Sequence, residues 1–589
     1  MKYKEGITKI KNETVTVTDL GGIGGKSGEK GGLRFCENLL SDGQSSLSVR
    51  GRRAVIRELG SLDGIFADDT LVYADSGRLF YGGLQVDGIY LTGGDKRILK
   101  HGKYVIVFPD EIYYNTADPS DYGSLSASYS FDTGVYACCV NGQLEEISYS
   151  VLGKVPDGAE SGDYCAVRTT DGSLKMKRYD GSSWIPEQCY IKVYAPSIGK
   201  SFRVGDTVEC RGLEEAVGGA FKIIAKQDNA LFCEGILEAR VDATGQFSAT
   251  RDFPKLDFVT VSGGRIWGVR RGRDNFGSLV SRIYASSEGD PFNFSELSGG
   301  MYCDIDVCGA FTGICDYLSS PIAFTESEII EVLVKNGRAI PTVIKGYGVE
   351  TGADNSIVCE QGKLYYKSGV GVCRYDGSYP ERISPEVEHT LKITSAGAPA
   401  VAVSGRYYVK LSDGLSDSAL YVYDIEHVKW YRENDIGVKS FAKRHENAYA
   451  LFDNGEARGI MLMNYDEADE NEKHYCCAQE YPLVEDEIKW SFESQSLWAD
   501  ELSAILPIRL AVRMKKPQES SVRVGMIYDG EVNPSDVTEI SRGTDGAVNV
   551  PVKSKRCDTA RLFIEGQGQF KLLGYALTYR SGGESRAWK

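Results

Sequence analysis

Residues 360–377 read EQGKLYYKSGVGVCRYDG, and their reading decides the fold. A glycine-containing turn opens into a run carrying two tyrosines, a second turn follows, and a second run ends in Tyr-Asp. The same pattern recurs along the chain. It is seen at 68–83 (DDTLVYADSGRLFYGG), 100–115 (KHGKYVIVFPDEIYYN) and 261–274 (VSGGRIWGVRRGRD). It returns at 403–413 (VSGRYYVKLSD) with 419–435 (ALYVYDIEHVKWYREND), and at 446–461 (ENAYALFDNGEARGIM). Segments alternate at period two between Gly, Asp, Asn and Ser punctuation, which predicts strands. A unit of this kind repeating at intervals of about 35 to 50 residues predicts four-stranded propeller blades, each needing a neighbour to bury its faces. A two-sheet sandwich is the alternative for the same pattern; the interval and the count favour the propeller. Helical periodicity is scarce, with short helical turns expected only around Cys36–Leu40 and Ser384–Lys392.

The register changes twice. Between about 160 and 250 the repeat is interrupted, and GKSFRVGDTVEC (199–210) reads as the strand–turn–strand of a small closed barrel. From about 485 the alternation becomes clean, with turns about every ten residues, as in an antiparallel sandwich. The predicted organisation is all-β. A glycine-rich N-terminal arm (1–55) leads into a first propeller segment (56–158), an inserted β-barrel (159–252), a second propeller segment (253–480) and a C-terminal β-sandwich (481–589). The acidic run DEADENE (466–472) reads as a solvated loop near the last boundary.

Composition bounds the function. The 589 residues carry 67 Lys and Arg against 83 Asp and Glu, a formal net charge of −16. That balance argues against gripping nucleic acid, whose affinity comes from cations on phosphates. No stretch approaches the 18 apolar residues of a membrane span, and the N-terminus lacks the apolar core of a secretion signal. The 15 cysteines include the adjacent pairs Cys138/Cys139 and Cys476/Cys477 and the spread trio Cys303, Cys308 and Cys315. None has C-x-x-C spacing, and only His474 lies near a cysteine cluster, so they read as buried reduced thiols and not as zinc ligands.

Motifs that carry chemistry are incomplete wherever they begin. DLGGIGGKSGEKGG (19–32) follows a strand-like ETVTVT and ends a half-motif at Gly25, Lys26 and Ser27. The phosphate loop needs a glycine at 20, where Leu20 stands, and a helix afterwards, where more glycines stand. Paired carboxylates occur at Asp304/Asp306, Asp110/Glu111 and Asp424/Glu426. With 83 acidic residues such pairs arise by chance. SSEGDPF (286–292) departs from the sialidase aspartate box and reads as a turn. The five histidines, 101, 389, 427, 445 and 474, are not placed beside a nucleophile, and His427 reads as a turn cap. RRGRD (270–274) is the strongest positive patch, open to DNA or an acidic neighbour and otherwise a solvated loop. Trp430, Tyr431, Trp490 and Trp498 are candidates for stacking on sugars, although Trp on strands is more often core.

Several stretches together resemble one family. They are GGLRFCENLLSDGQSSLSVRGRR (31–53), GIFADDTLVYADSGRLFYGGLQVDG (64–88), RIYASSEGDPFNF (282–294), KGYGVETGADNSIVCEQGKLYYKSGVGVCRYDG (345–377) and RLFIEGQGQFKLLGYALTYR (561–580). These are similar to tail hub, or nozzle, proteins of short-tailed bacteriophages, also called DNA-stabilisation proteins. The resemblance implies a structural virion protein without turnover: no catalytic, cofactor-binding or metal-binding residues, and no cofactor. It implies a homo-oligomeric ring, often sixfold, around the DNA channel, assembled in the bacterial host cytoplasm. Its partners would be portal or adaptor proteins upstream, tail fibre or needle proteins distally, and genomic DNA sliding past without sequence-specific contact or stable membrane insertion. On that reading, residues 19–32 are a docking arm. A receptor- or carbohydrate-binding tail component, or a propeller glycan hydrolase, is the alternative.

Overall fold

The computed structural model describes residues 11–24, 31–43, 45–213, 219–273, 277–385, 387, 391–395, 397–412, 418–473, 475, 482–497 and 504–581. It is 54% strand and 2% helix, so the protein is all-β as expected, and the repeat is that of a β-propeller. Seven four-stranded sheets carry it. Six are continuous in sequence: blades I (64–85), II (97–124), III (258–305), IV (313–345), V (358–382) and VI (400–434). Blade VII takes three strands from 438–462 and its fourth from Ala54–Glu58, which pairs antiparallel with Gly459–Leu462.

The recurring glycine has one cause. The turn from a blade's first to its second strand needs two successive residues in the left-handed region, as a type I′ hairpin does. Gln361 and Gly362 sit at φ 51° and 72°, Ser404 and Gly405 at 49° and 73°, Gly263 and Gly264 at 55° and 72°. The middle strands of the blades are then sealed on both faces. Tyr104–Phe108, Ala419–Asp424 and Arg406–Leu411 are buried at nearly every position, so period-two alternation gives way to continuous apolar runs. Tyr73, Tyr365, Tyr407, Tyr423 and Tyr449 are almost wholly buried. Each large side chain buried this way contributes about 1.5–3 kcal/mol.

The chain divides into two compact units. The first comprises Met1–Ile98, Thr325–Glu328 and Lys345–Lys589. In it, first strands of successive blades pack side by side: Val358–Glu360 on Ala400–Val403, that on Val438–Arg444, and that on Gly64–Ala67. These are therefore the innermost strands. Leu71 and Tyr73 of blade I share a core with Tyr449, Leu451, Ile460 and Leu462 of blade VII.

The same unit holds two sheets over a common core. One orders Leu39–Ser41, Leu47–Val49, Lys571–Ser581, Ile505–Lys516 and Thr544–Val550, with Lys11–Val17 also on Lys571–Ser581. The other orders Leu33–Glu37, Lys489–Ser494, Ala560–Gln567, Ser521–Tyr528 and Ser535–Ile540. The glycine-rich arm expected over 1–55 therefore supplies four strands of these two sheets and the start of the closing strand of blade VII, whereas 19–32 carries no strand among its described residues. Cys36–Leu40, expected as a helical turn, is strand on either side of Asn38; of the other expected turn, Ser384–Lys392, residues 386 and 388–390 lie outside the described residues.

The glycines at 21 and 22 are explained by packing. Ile23 N–H donates to the Trp430 carbonyl at 2.7 Å, and a Cβ on Gly22 would stand 2.7 Å from that same oxygen. Gly22→Ala is expected to cost about 1–3 kcal/mol by overpacking a backbone contact, measurable as a shifted urea midpoint. An unchanged midpoint would mean that this stretch does not lie on blade VI. Gly25, Lys26 and Ser27 lie outside the described residues.

The second unit comprises Leu99–Phe324 and Ile329–Ile344. Its insert begins earlier than expected. Strand Ala127–Phe131 follows blade II directly and pairs with Phe247–Arg251, so the insert starts near 127 and not at 159. The sequence ASYSF looks like a blade strand, and only its partner reveals otherwise. Eight strands form one antiparallel sheet curled around a single core of Val135, Ile191, Phe202, Val208, Ile223 and Phe247, among others. A separate four-stranded sheet spans 149–186.

Candidate functional site

The insert is held to blades II and III by a polar socket, and the GDPFNF stretch forms its floor. Arg203 donates to Tyr113 Oη and Asp121 at 2.6 Å each, and its guanidinium lies 4.1 Å over the Phe292 ring. Asp206, buried, accepts from Arg251 Nη1 at 2.5 Å, the Arg203 amide at 2.8 Å and Asn293 Nδ2 at 3.2 Å. SSEGDPF is thus a turn, and its job is structural.

The carboxylate pairs singled out in the sequence do not converge. Asp304 lies on the outer strand of blade III, neutralised by Arg282 at 2.5 and 2.8 Å, and Asp306 is exposed beyond it. Asp424 accepts from the His427 amide and faces its ring Nδ1, both at 2.9 Å, which makes the pair a turn cap; Glu426 is exposed in that turn. Asp110 and Glu111 form the middle turn of blade II, where burial pushes the Glu111 carboxyl up against the pull of Lys255.

The described histidines meet carbonyls or carboxylates. His101 Nε2 lies 2.8 Å from the Gly264 oxygen, and His445 Nδ1 lies 3.4 Å from Glu472. His389 and His474 lie outside the described residues, as do Cys476, Cys477 and Trp498. Burial pushes the Cys138 thiol up to about 11 and the Cys303 thiol to about 11. Among the described residues no group of three or more His, Cys, Asp or Glu could hold a metal ion. Trp430, Tyr431 and Trp490 are core: Trp430 Nε1 donates to Ile383 O, and Trp490 stacks on Phe570 at 4.1 Å. Arg270, Arg271 and Arg273 lie along a hairpin of blade III, with Arg273 tied to the Gly277 carbonyl. The acidic run is mostly exposed, as expected, but its end joins the helical turn Glu470–Lys473, whose Glu472 is buried and held by Arg444 and Tyr449.

One acid that the sequence did not single out has the stronger position. Asp354 opens a short 3-10 turn, Asp354–Ser356, immediately before the innermost strand of blade V. The turn is pinned from below. Ser356 Oγ accepts the Lys367 amide at 2.9 Å, and its carbonyl accepts Tyr407 Oη at 2.9 Å. Lys367, buried, closes on Glu350 and donates to Ser368 O at 2.6 Å. Gly348 permits the loop to pass Thr325, because a Cβ there would overlap the Thr325 carbonyl oxygen. Asn355 Oδ1 accepts Arg97 Nη1 at 3.2 Å, and Arg97 is exposed at the start of the first strand of blade II. Burial raises the Asp354 carboxyl above its ordinary value, with Arg97 opposing but not cancelling the shift. The residue before Arg97 is tied by its backbone to Asp63, whose side chain is turned to Ser61. The Lys96 amide donates to the Asp63 carbonyl at 2.5 Å, and the Asp63 side chain accepts Ser61 Oγ at 2.7 Å. A rigid loop thus presents a carboxyl biased toward its protonated form beside an exposed cation.

No family model and no curated protein matches the chain. Among solved structures it is similar to puromycin hydrolase, at 9% identity and a TM-score of 0.29, over 82% of this chain and 60% of that one. It is similar to a Mycobacterium tuberculosis puromycin-hydrolyzing peptidase, at 14% identity and a TM-score of 0.24, over 73% of this chain and 52% of that one. A glycoside hydrolase matches at 11% identity and a TM-score of 0.19, over 54% of this chain and 96% of that one. The chain therefore spans between half and two thirds of the length of the first two. These likenesses concern the fold. The names of these three are those of hydrolases and none is a phage tail protein, so the expectations of a structural tail hub and of a chain without turnover stand corrected to an all-β propeller fold without an assigned role.

Proposed function

We propose that this protein is a hydrolase of glycans in which Asp354 is the proton donor. The observation that carries the reading is the pinned, half-buried Asp354 carboxyl, raised by burial, beside the exposed Arg97. Glycoside cleavage needs a proton donor for the leaving oxygen, and burial favours the protonated form of the Asp354 carboxyl. Asp354 gives its proton to the leaving oxygen as the glycosidic C–O bond breaks. The water whose oxygen bonds to the anomeric carbon gives up its proton to solvent. Arg97 orients a polar substituent of the sugar. Peptide chemistry is less well served, because the described histidines, His101, His427 and His445, are engaged by carbonyl or carboxylate oxygens.

The test is release of reducing ends from a panel of polysaccharides. Wild-type protein is expected to cleave at least one, and Asp354→Asn to lower kcat by about 10²–10⁴ with an unchanged melting midpoint. A panel left intact by the wild type, or an Asp354→Asn variant of full activity, would overturn the reading.

A further inference from the structure

The loop that carries Asp354 turns a second side chain to Arg97. Asn355 is exposed, and its Oδ1 accepts Arg97 Nη1 at 3.2 Å. A guanidinium only donates, so this contact fixes the orientation of the amide and leaves Asn355 Nδ2 to donate elsewhere. Among the described residues Nδ2 makes no hydrogen bond, and neither do Arg97 Nε and Nη2. The open polar groups of these two side chains are therefore all donors.

The charge at this spot has the same sign. Arg97 supplies the field at the Asp354 carboxyl, and among the described residues no acidic side chain adds to it. Arg97 itself forms no ion pair there. With the Asp354 carboxyl biased to its neutral form, the guanidinium has no counter-ion, in a chain whose formal net charge is −16. The open Nε–Nη2 edge of a guanidinium matches the two oxygens of a planar carboxylate in bidentate fashion. A neutral hydroxyl would leave the charge unpaired.

We infer that the substrate is an acidic glycan whose uronate carboxylate takes the Nε–Nη2 edge of Arg97. Asn355 Nδ2 donates to a neighbouring oxygen of the same sugar. The inference rests on the proposed hydrolysis for placing a glycan at this loop, and Arg97 then sets which glycan is accepted.

Binding, not turnover, tests it. The probes are oligomers of polygalacturonate and of alginate, each against its own methyl ester, titrated by calorimetry into the full chain carrying Asp354→Asn. At least one acid form is expected to bind ten-fold or more tightly than its ester, with the difference shrinking as salt is raised. Adding Arg97→Gln is expected to make acid and ester bind alike at the ester's affinity, which also shows that the fold is intact. Adding Arg97→Lys should retain part of the preference, since the charge stays and the fork is lost. No acid form preferred, a preference that survives Arg97→Gln, or one confined to dextran sulfate over dextran would overturn the inference. Cleavage of neutral polysaccharides by a wild type without such a preference would overturn it and leave the hydrolysis standing. The preference without any cleavage by the wild type would support it and overturn the hydrolysis.

Discussion

Arg53→Ala is expected to lower the unfolding free energy by about 3–5 kcal/mol, because it strands a buried carboxylate. Arg53 is fully buried; its Nη2 donates to Glu433 at 2.7 Å and to the Asn434 carbonyl at 3.2 Å. Beside it Arg50 holds Glu485 at 2.7 and 2.8 Å and donates to Asn38 Oδ1 at 3.0 Å. The two arginines closely precede Ala54–Glu58, the strand that completes blade VII. The network thus locks that strand to blade VI and to the segment leading into Lys489–Ser494, at the point where the propeller sequence begins and ends. Urea unfolding measures the loss. Arg53→Met with Glu433→Leu, which removes both charges, is expected to recover most of it; a double variant as unstable as the single one would assign the effect to packing alone.

The network also sets an acid limit. Burial pushes the Glu485 carboxyl up, but Arg53 and Arg50 outweigh it and hold the group below its ordinary value. A carboxyl depressed in the folded state stabilises fully above its unfolded pKa, about 4.3, and that contribution disappears as pH falls through the folded value. Stability should therefore drop below about pH 4, and the drop should be smaller in Glu485→Gln.

Asp206→Ala is the second large loss, again about 3–5 kcal/mol, since it leaves the buried Arg251 guanidinium without its counter-ion. The effect should be local. Asp206 joins the insert to Asn293 in the turn of blade III, so limited proteolysis is expected to cut near residues 125–127 and 251–257 while the blades stay protected. Uniform protease sensitivity across both regions would contradict the socket. Arg203→Lys should be milder, because a lysine keeps the charge near Asp121 but loses the planar contact with Phe292.

These residues show what can be read in the chain. The blades were legible because a type I′ turn demands glycine at a fixed offset from an aromatic run, and both signals are local. The closing strand was not. AVIRE at 54–58 carries no mark of its partner some 400 residues away. Ala127–Phe131 was hidden for the same reason. The acidic run 466–472 looked solvated because the cations that hold Glu472 and Asp466, Arg444 and Arg52, are distant in sequence. Asp354 was passed over among 83 acidic residues because nothing in GVETGADNS distinguishes it. Its distinction is burial together with Arg97, and both exist only in the fold. Conversely, Asp304 and Asp424 had the right spacing, but each already has a partner.

The most direct measurement is the titration of Asp354 itself, followed by carboxyl carbon NMR in the folded protein. The account predicts a midpoint clearly above the ordinary aspartate value of 3.8, rising further in Arg97→Ala as the opposing cation is removed. A midpoint at or below 3.8, or one indifferent to Arg97, would deny Asp354 the role of proton donor.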